Sequence, residues 1–254
     1  SKLIDTIHLL SFNKQKMAKS HTPRCILIRH GQTEWSKTGQ YTSITDLSLT
    51  PYGVKQMKMT GSKLIGPTNN KLINPNDVKL IITSPRKRAI ETKDLLFESI
   101  KDSQNIPTKI DENIREWEYG DYEGLLTQQI IDLRASRGLP NAEKWNIWEY
   151  GCENGETADE VTIRVDKIIS EIRAIHEKYL NNNENCDILV IAHGHILRCF
   201  AARWIDVPIN KNPKFMLDAG GVCVLSYQHH NINEPALYLT GAFTAPVEEE
   251  GADI

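Results

Sequence analysis

Two short, unbroken apolar runs stand out in a chain that otherwise mixes apolar and polar positions. Cys25-Ile26-Leu27-Ile28 ends abruptly in Arg29-His30-Gly31, and Ile188-Leu189-Val190-Ile191-Ala192 ends in His193-Gly194-His195. Runs this short do not make isolated helices. They predict strands buried on both faces. Val78–Thr83 predicts a third strand, stopping at Ser84-Pro85. Between the strands the spacing becomes helical. Val54, Met57, Gly61 and Leu64 share one face after Thr50-Pro51, an N-cap followed by proline at the first helical position. Further helices are predicted over 89 to about 99 and from about 127 to 138. Thr157-Ala158-Asp159-Glu160 has the form of a capping box, and Val161, Val165, Ile168, Ile172 and Ile175 carry that helix to about residue 180. Leu197, Phe200, Ala201 and Trp204 mark the helix after the second His-Gly strand. Val222–Tyr227 and 236–239, separated by a turn-rich stretch, predict an edge hairpin. This alternation predicts a three-layer α/β fold, a mostly parallel central sheet with helices on both faces. No repeat or linker interrupts residues 22–245, which predicts one domain. A poorly ordered extension over 1–21 precedes it, and an acidic tail over 246–254 follows.

Composition adds boundaries. The chain has 254 residues, 40% apolar and 25% charged, an ordinary globular profile. A net charge of −3 argues against a general nucleic-acid or membrane-surface binder, so an anionic ligand needs a local cationic pocket. The five cysteines are scattered and odd in number, which predicts reduced, buried thiols in a cytoplasmic protein, with the nucleus also open. No apolar run approaches the roughly 20 residues of a membrane span. Residues 1–19 lack the apolar core of a secretory signal. An extension, an alternative start at Met17 and a transit peptide all remain open for them.

The strand ends carry the chemistry. Ligands of open α/β sheets bind beyond the carboxyl ends of the strands. If the two His-Gly strands are neighbours, His30 and His193 stand side by side, one to attack phosphorus and one to stabilise the group in transfer. Neutral imidazole is available near pH 7 and can form a phosphohistidine. Arg29 and Arg88 are the candidate phosphate clamps, because guanidinium binds phosphate in a two-pronged, always-charged manner. A cation in the first turn of a helix opposes the helix dipole, which favours a ligand role for Arg88. Gly194 offers a backbone N–H at a helix start, a natural anion site. Arg86 reaches a second phosphate or only solvent, and Arg198 reaches the far end of a substrate or lies on the surface. Thr33, Glu34 and Ser43 are candidate entrance residues. Trp145 and Trp148 are either lid anchors or packing. His193-x-His195 could chelate zinc, but no third ligand has convincing spacing, so no metal is expected.

Arg29-His30-Gly31 followed by Thr33-Glu34, together with Ala192-His193-Gly194-His195, resembles the histidine phosphatase (phosphoglycerate mutase-like) superfamily. The resemblance implies phosphate binding by Arg88 within Ser84-Pro85-Arg86-Lys87-Arg88-Ala89. It singles out Glu116, within Arg115-Glu116-Trp117-Glu118-Tyr119-Gly120, as general acid, with Tyr119 bonding phosphate or sugar. A carboxyl beside a phosphate dianion is expected to have its pKa raised. Arg115 to Gly124, Trp145-Asn146-Ile147-Trp148, Gly151 to Thr157, Leu217 to Gly221 and His229 to Leu237 are similar to the fungal sedoheptulose-1,7-bisphosphatase family. That likeness spans residues 22–245. It implies removal of the 1-phosphate from seven-carbon sugar bisphosphates without metal or cofactor, feeding ribose-phosphate synthesis, with fructose 1,6-bisphosphate as a secondary substrate. Within it, His230 is either a substrate contact or a turn residue. The 205–216 segment is short for the family, which bears on the substrate pocket and on oligomer contacts. A phosphoglycerate mutase, a broad sugar phosphatase and a non-catalytic phospholigand-binding module are the competing readings.

Overall fold

The computed structural model describes residues 19–243, so most of the expected N-terminal extension and the whole acidic tail lie outside the described residues. Ser20 and His21, assigned to that extension, are held. Their N–H groups donate to Asn183 Oδ1 and Asn185 Oδ1 at 2.9 and 3.0 Å.

Six strands form one sheet: β1 (Arg24–Arg29), β2 (Val78–Thr83), β3 (Thr108–Ile110), β4 (Asp187–Ala192), β5 (Val222–Tyr227) and β6 (Pro235–Phe243). Their order is β3-β2-β4-β1-β5-β6. The first four run parallel, while β5 pairs antiparallel with both β1 and β6. Helices flank the sheet: α1 (Glu34–Thr38), α2 (Pro51–Leu64), α3 (Lys87–Leu96), α4 (Thr127–Ser136), α5 (Ile147–Tyr150), α6 (Ala158–Asn181) and α7 (Gly194–Trp204).

Strand alternation divides the interior into two cores. Ile26, Ile28, Leu189 and Ile191 face Met57, Leu64, Ala89 and Leu96 of α2 and α3. Cys25, Leu27, Ile188 and Val190 face Val161, Val165 and Ile168 of α6 and Ile196 and Phe200 of α7. With both faces covered, the central strands need apolar residues at every position, which is why they read as unbroken runs. All five cysteines are buried and free.

Two of the elements that differ from expectation are α3 and β3. The helix expected over 89–99 is α3, which starts earlier and ends at Leu96. The following residues tighten into a turn in which Ile100 N–H donates to Phe97 O at 3.0 Å. Here α2 and α3 pass so closely that a Cβ on Gly61 would lie 2.4 Å from Leu96 O. The second is β3, a three-residue exposed edge strand whose pattern is too short to read in isolation.

His176 of α6 is a second buried imidazole system, remote from the strand ends. Its Nδ1 pairs with Tyr227 Oη at 2.8 Å and its Nε2 with Arg24 O at 3.1 Å. Burial pushes its pKa down to about 3. The unfolded chain therefore takes up a proton below about pH 6.5 that the folded protein does not, and stability falls as pH drops towards 3. Urea unfolding at pH 7 and pH 5 tests this. The stability lost between the two is expected to be smaller in His176→Gln than in wild type by about 2 kcal/mol.

Candidate active site

The parallel register of β1 and β4 sets Arg29 opposite Ala192, so the residues that follow, His30 and His193, leave the sheet side by side. Their ring centroids are 5.1 Å apart, with the planes 63° from parallel. His30 is buried, and its Nδ1 lies 2.8 Å from Gly31 O. A carbonyl can only accept, so the ring proton sits on Nδ1 and the Nε2 lone pair is free. Burial, then the charges of Arg88 and Arg29, hold His30 well below its usual pKa and keep it neutral. His193 is likewise pushed well down, by burial and then by Arg88. Its Nε2 lies 2.6 Å from Ser84 Oγ, which also accepts the Arg86 N–H at 3.4 Å. Either atom of that pair can be the donor; where Ser84 donates its hydroxyl proton to Nε2, the His193 proton stands on Nδ1.

The cations are braced by backbone. Arg88 is fully buried and donates through Nη1 to Thr45 O (2.8 Å) and through Nη2 to Ser43 O and Thr42 O (3.0 and 3.2 Å). Arg29 Nη1 donates to Leu217 O at 2.7 Å. Burial pushes both guanidiniums down, against the raising effect of Glu116. Gly194 makes room for Arg29, because a Cβ there would lie 3.1 Å from the guanidinium carbon. Arg198 lays its guanidinium over the Trp148 ring at 4.8 Å, a cation–π contact.

Glu116 is buried at the start of α7. Its Oε1 accepts the N–H groups of Trp117 and Ile196 at 2.9 and 2.8 Å, and its Oε2 that of His195 at 3.1 Å. The helix N-terminus expected to bind the ligand thus also seats the carboxyl.

Arg29, His30, Thr33, Glu116, Tyr119, Gly194 and Arg198 line one cavity of about 290 Å³. Thr33 also caps α1, its Oγ1 accepting the Ser36 N–H. Ser43, Ser84, Arg88 and His193 are buried outside that lining, His193 against the His30 ring and Ser84, and Arg88 on the Ser43 carbonyl. The structure does not bring every candidate there. Glu34 is exposed on α1 outside the cavity lining. Arg86 is half-buried at the N-cap of α3 and acts on His193 through its charge. His230 bonds Thr22 Oγ1 at 2.9 Å, just before β1 begins, and so lies about a strand length, roughly 20 Å, from Arg29. A larger groove, about 690 Å³, lies at the far end of α7 beside Arg173 and Arg203 and holds none of these histidines.

Sequence reasoning missed Trp35, Ser36, Gln40, Tyr41 and Thr42, which also line the cavity, and noticed His195 only as a metal candidate. His195 Nδ1 lies 2.6 Å from Tyr119 Oη, and its ring packs against Tyr41 and Trp148. Burial, then Arg198, push it down to about 3. Tyr41 stood in a polar loop with no pattern to flag it. Trp148 proves to be both packing and the platform for Arg198. Among the described residues, no group of three His, Cys, Asp or Glu side chains is placed to hold a metal ion.

Eight buried side-chain polar atoms among the described residues lack a hydrogen-bond partner. Four of them belong to this site, Nε of Arg29, Arg88 and Arg198 and Nδ1 of His193, and a fifth is Nε of Arg86 beside it. The four arginine nitrogens are donors, and His193 Nδ1 is a fifth where Ser84 donates to Nε2, the arrangement an anion requires.

A neutral histidine with a free Nε2 stands beside a second histidine, with Arg29, Arg88 and Arg198 around the pair. The chain belongs to the histidine phosphatase superfamily (branch 1), whose family model matches residues 25–237. It is 48% identical to the sedoheptulose 1,7-bisphosphatase of Saccharomyces cerevisiae, over 91% of this chain and 97% of that protein. It is 29% identical to an acid phosphatase of Mycobacterium tuberculosis, over 86% of this chain and 93% of that one. The solved structure of the product of a Mycobacterium tuberculosis open reading frame superposes with a TM-score of 0.66 at 26% identity, covering 88% of this chain and 98% of that one.

Proposed function

We propose that this protein is a metal-independent sugar bisphosphatase that removes the 1-phosphate of sedoheptulose 1,7-bisphosphate through a phosphohistidine. The observation that carries the phosphatase chemistry is the free Nε2 of His30 among unpartnered cationic donors. The 48% identity to the yeast enzyme carries the substrate.

In the first step His30 Nε2 forms a bond to phosphorus as the bond from phosphorus to the sugar oxygen breaks. Glu116 gives its proton to that leaving oxygen. In the second step water attacks phosphorus, Glu116 takes the water's proton, and the P–N bond pair returns to Nε2. Arg29, Arg88 and His193 Nδ1–H hold the three equatorial oxygens, where transition-state charge spreads. Tyr119, His195 and Arg198 face the remainder of the sugar. Residues 22–245 act as one catalytic unit in this reading. A cytoplasmic setting and a supply of ribose phosphates belong to the same proposal. Among the described residues, no helix is long and apolar enough to cross a membrane.

Phosphate release from sedoheptulose 1,7-bisphosphate, fructose 1,6-bisphosphate and 3-phosphoglycerate, with EDTA present throughout, tests it. The expected result is highest kcat/KM on the seven-carbon substrate and no effect of chelator. Equal rates on all sugars reduce the protein to a general phosphatase. Interconversion of phosphoglycerates without net release makes it a mutase. Loss of activity in EDTA, restored by zinc or magnesium, overturns the metal-free chemistry.

A further inference from the structure

The loop that carries Glu116 has little regular structure of its own. It consists of two single 3₁₀ turns, Glu112–Ile114 and Gly120–Tyr122, joined by irregular chain. A general acid must nevertheless stand within hydrogen-bond reach of the leaving oxygen. The loop is gripped from α6, by a side chain that touches neither His30 nor the cavity.

Arg164, on the second turn of α6, is 6% exposed and uses all five of its N–H donors. Nη1 donates to Asn113 O and Arg115 O, both at 2.8 Å, and Nη2 to Glu116 O at 3.2 Å. Nε and Nη2 also meet the two carboxylate oxygens of Glu156, both at 2.8 Å. Glu156 then holds the chain on the other side of Glu116. Its Oε2 accepts the Glu118 N–H at 2.9 Å, and its carbonyl accepts Trp117 Nε1–H at 2.9 Å. Its N–H donates to Glu118 O at 2.9 Å. Burial pushes the Glu156 carboxyl up, but Arg164 outweighs it and keeps the group below the usual carboxylate range.

Glu116 therefore sits in a frame that grips its own carbonyl and its neighbours on both sides. The frame leaves its carboxyl to the N-terminus of α7 and the cavity. A buried ion pair is a poor source of stability compared with apolar packing of the same volume. A planar fork meeting five acceptors at set angles is a good source of position.

We propose that Arg164, paired with Glu156, is the positioning residue of the general acid, fixing the main chain of 113–118 so that the Glu116 carboxyl meets the leaving oxygen. This rests on the reading of Glu116 as that acid.

The test compares wild type, Arg164→Met, Arg164→Lys, Glu156→Gln, Glu116→Gln and the Glu116→Gln/Arg164→Met double variant. Each is assayed on the sugar bisphosphate and on an aryl phosphate whose phenolate leaves without a proton. Arg164→Met is expected to lower kcat on the sugar between about 10- and 100-fold and on the aryl ester by less than about threefold. Arg164→Lys recovers part of the loss. In the Glu116→Gln background, Arg164→Met costs nothing further on the sugar, because the group it serves is gone. Equal slowing of both substrates by Arg164→Met, or losses that multiply in the double variant, overturns the proposal while leaving Glu116 as the acid. If Glu116→Gln slows both substrates alike, the acid assignment itself falls and the proposal with it. Thermal melting shows whether Arg164→Met folds. If it does not, Glu156→Gln decides, with sugar-selective loss in support and equal loss against.

Discussion

His30→Ala is expected to abolish turnover, lowering kcat on sugar bisphosphate by about 10⁴-fold or more, as removal of a covalent nucleophile does elsewhere. The fold should survive the change. Among the described residues His30 makes one side-chain hydrogen bond, to the neighbouring Gly31 carbonyl, and the Arg29–Leu217 and His193–Ser84 hydrogen bonds do not pass through it. Labelled substrate, quenched under alkaline denaturing conditions, should leave acid-labile phosphate on wild type and none on the variant. A variant that still labels, or that keeps more than a tenth of wild-type turnover, places the nucleophile elsewhere. The acid side of the profile carries a second signature. Burial and the two arginines hold His30 neutral below its ordinary value of 6.5. In the free enzyme, then, kcat/KM should not lose its nucleophile between pH 7 and pH 6, where an ordinary imidazole would already be protonating.

Glu116→Gln carries the second large effect, a loss of about 10²- to 10⁴-fold on sugar bisphosphate with little change on an activated aryl phosphate. Glutamine keeps one oxygen for the backbone N–H groups of α7 but has no proton to give the leaving alkoxide. Single-turnover kinetics should place the defect in formation of the phosphohistidine from the sugar substrate. A uniform loss across leaving groups of widely different pKa would mean that Glu116 binds substrate and gives no proton in the rate-limiting step.

Much of the fold was legible in advance because its signals are local. Unbroken apolar runs marked β1, β2 and β4, since a strand covered on both faces has no polar side to display. Thr50-Pro51 and Thr157 with Glu160 marked helix starts, because capping is settled within four residues, and the structure shows both caps. The end of α3 and the existence of β3 were not legible. One depends on the close passage of α2, the other on an edge of β2 seen only once the sheet is assembled. Within the site, Arg29, His30 and His193 could be read from the strands that end in them. Glu116 could be singled out among the acids of its loop only by resemblance, because its distinguishing neighbours, the N–H groups of His195 and Ile196, lie about 80 positions along the chain. Glu34 and His230 show the converse, since nearness to a motif in sequence did not bring either into the cavity.

The sequence by itself determined which residue types were available at the strand ends: an imidazole and a guanidinium after one buried run, an imidazole and a glycine after another. Backbone periodicity and capping are short-range, so these elements and their punctuation are written in neighbouring residues. Only the tertiary structure decided that β1 and β4 are adjacent and in the register that pairs the two histidines. It alone chose the His30 tautomer through the Gly31 carbonyl, buried Arg88 among the carbonyls of 42–45, and set Arg164 on the main chain of Glu116. Each of these depends on burial and on hydrogen-bond partners fixed by the packed fold. Desolvation by that packing holds an otherwise ordinary histidine neutral and leaves buried cationic donors without partners beside it.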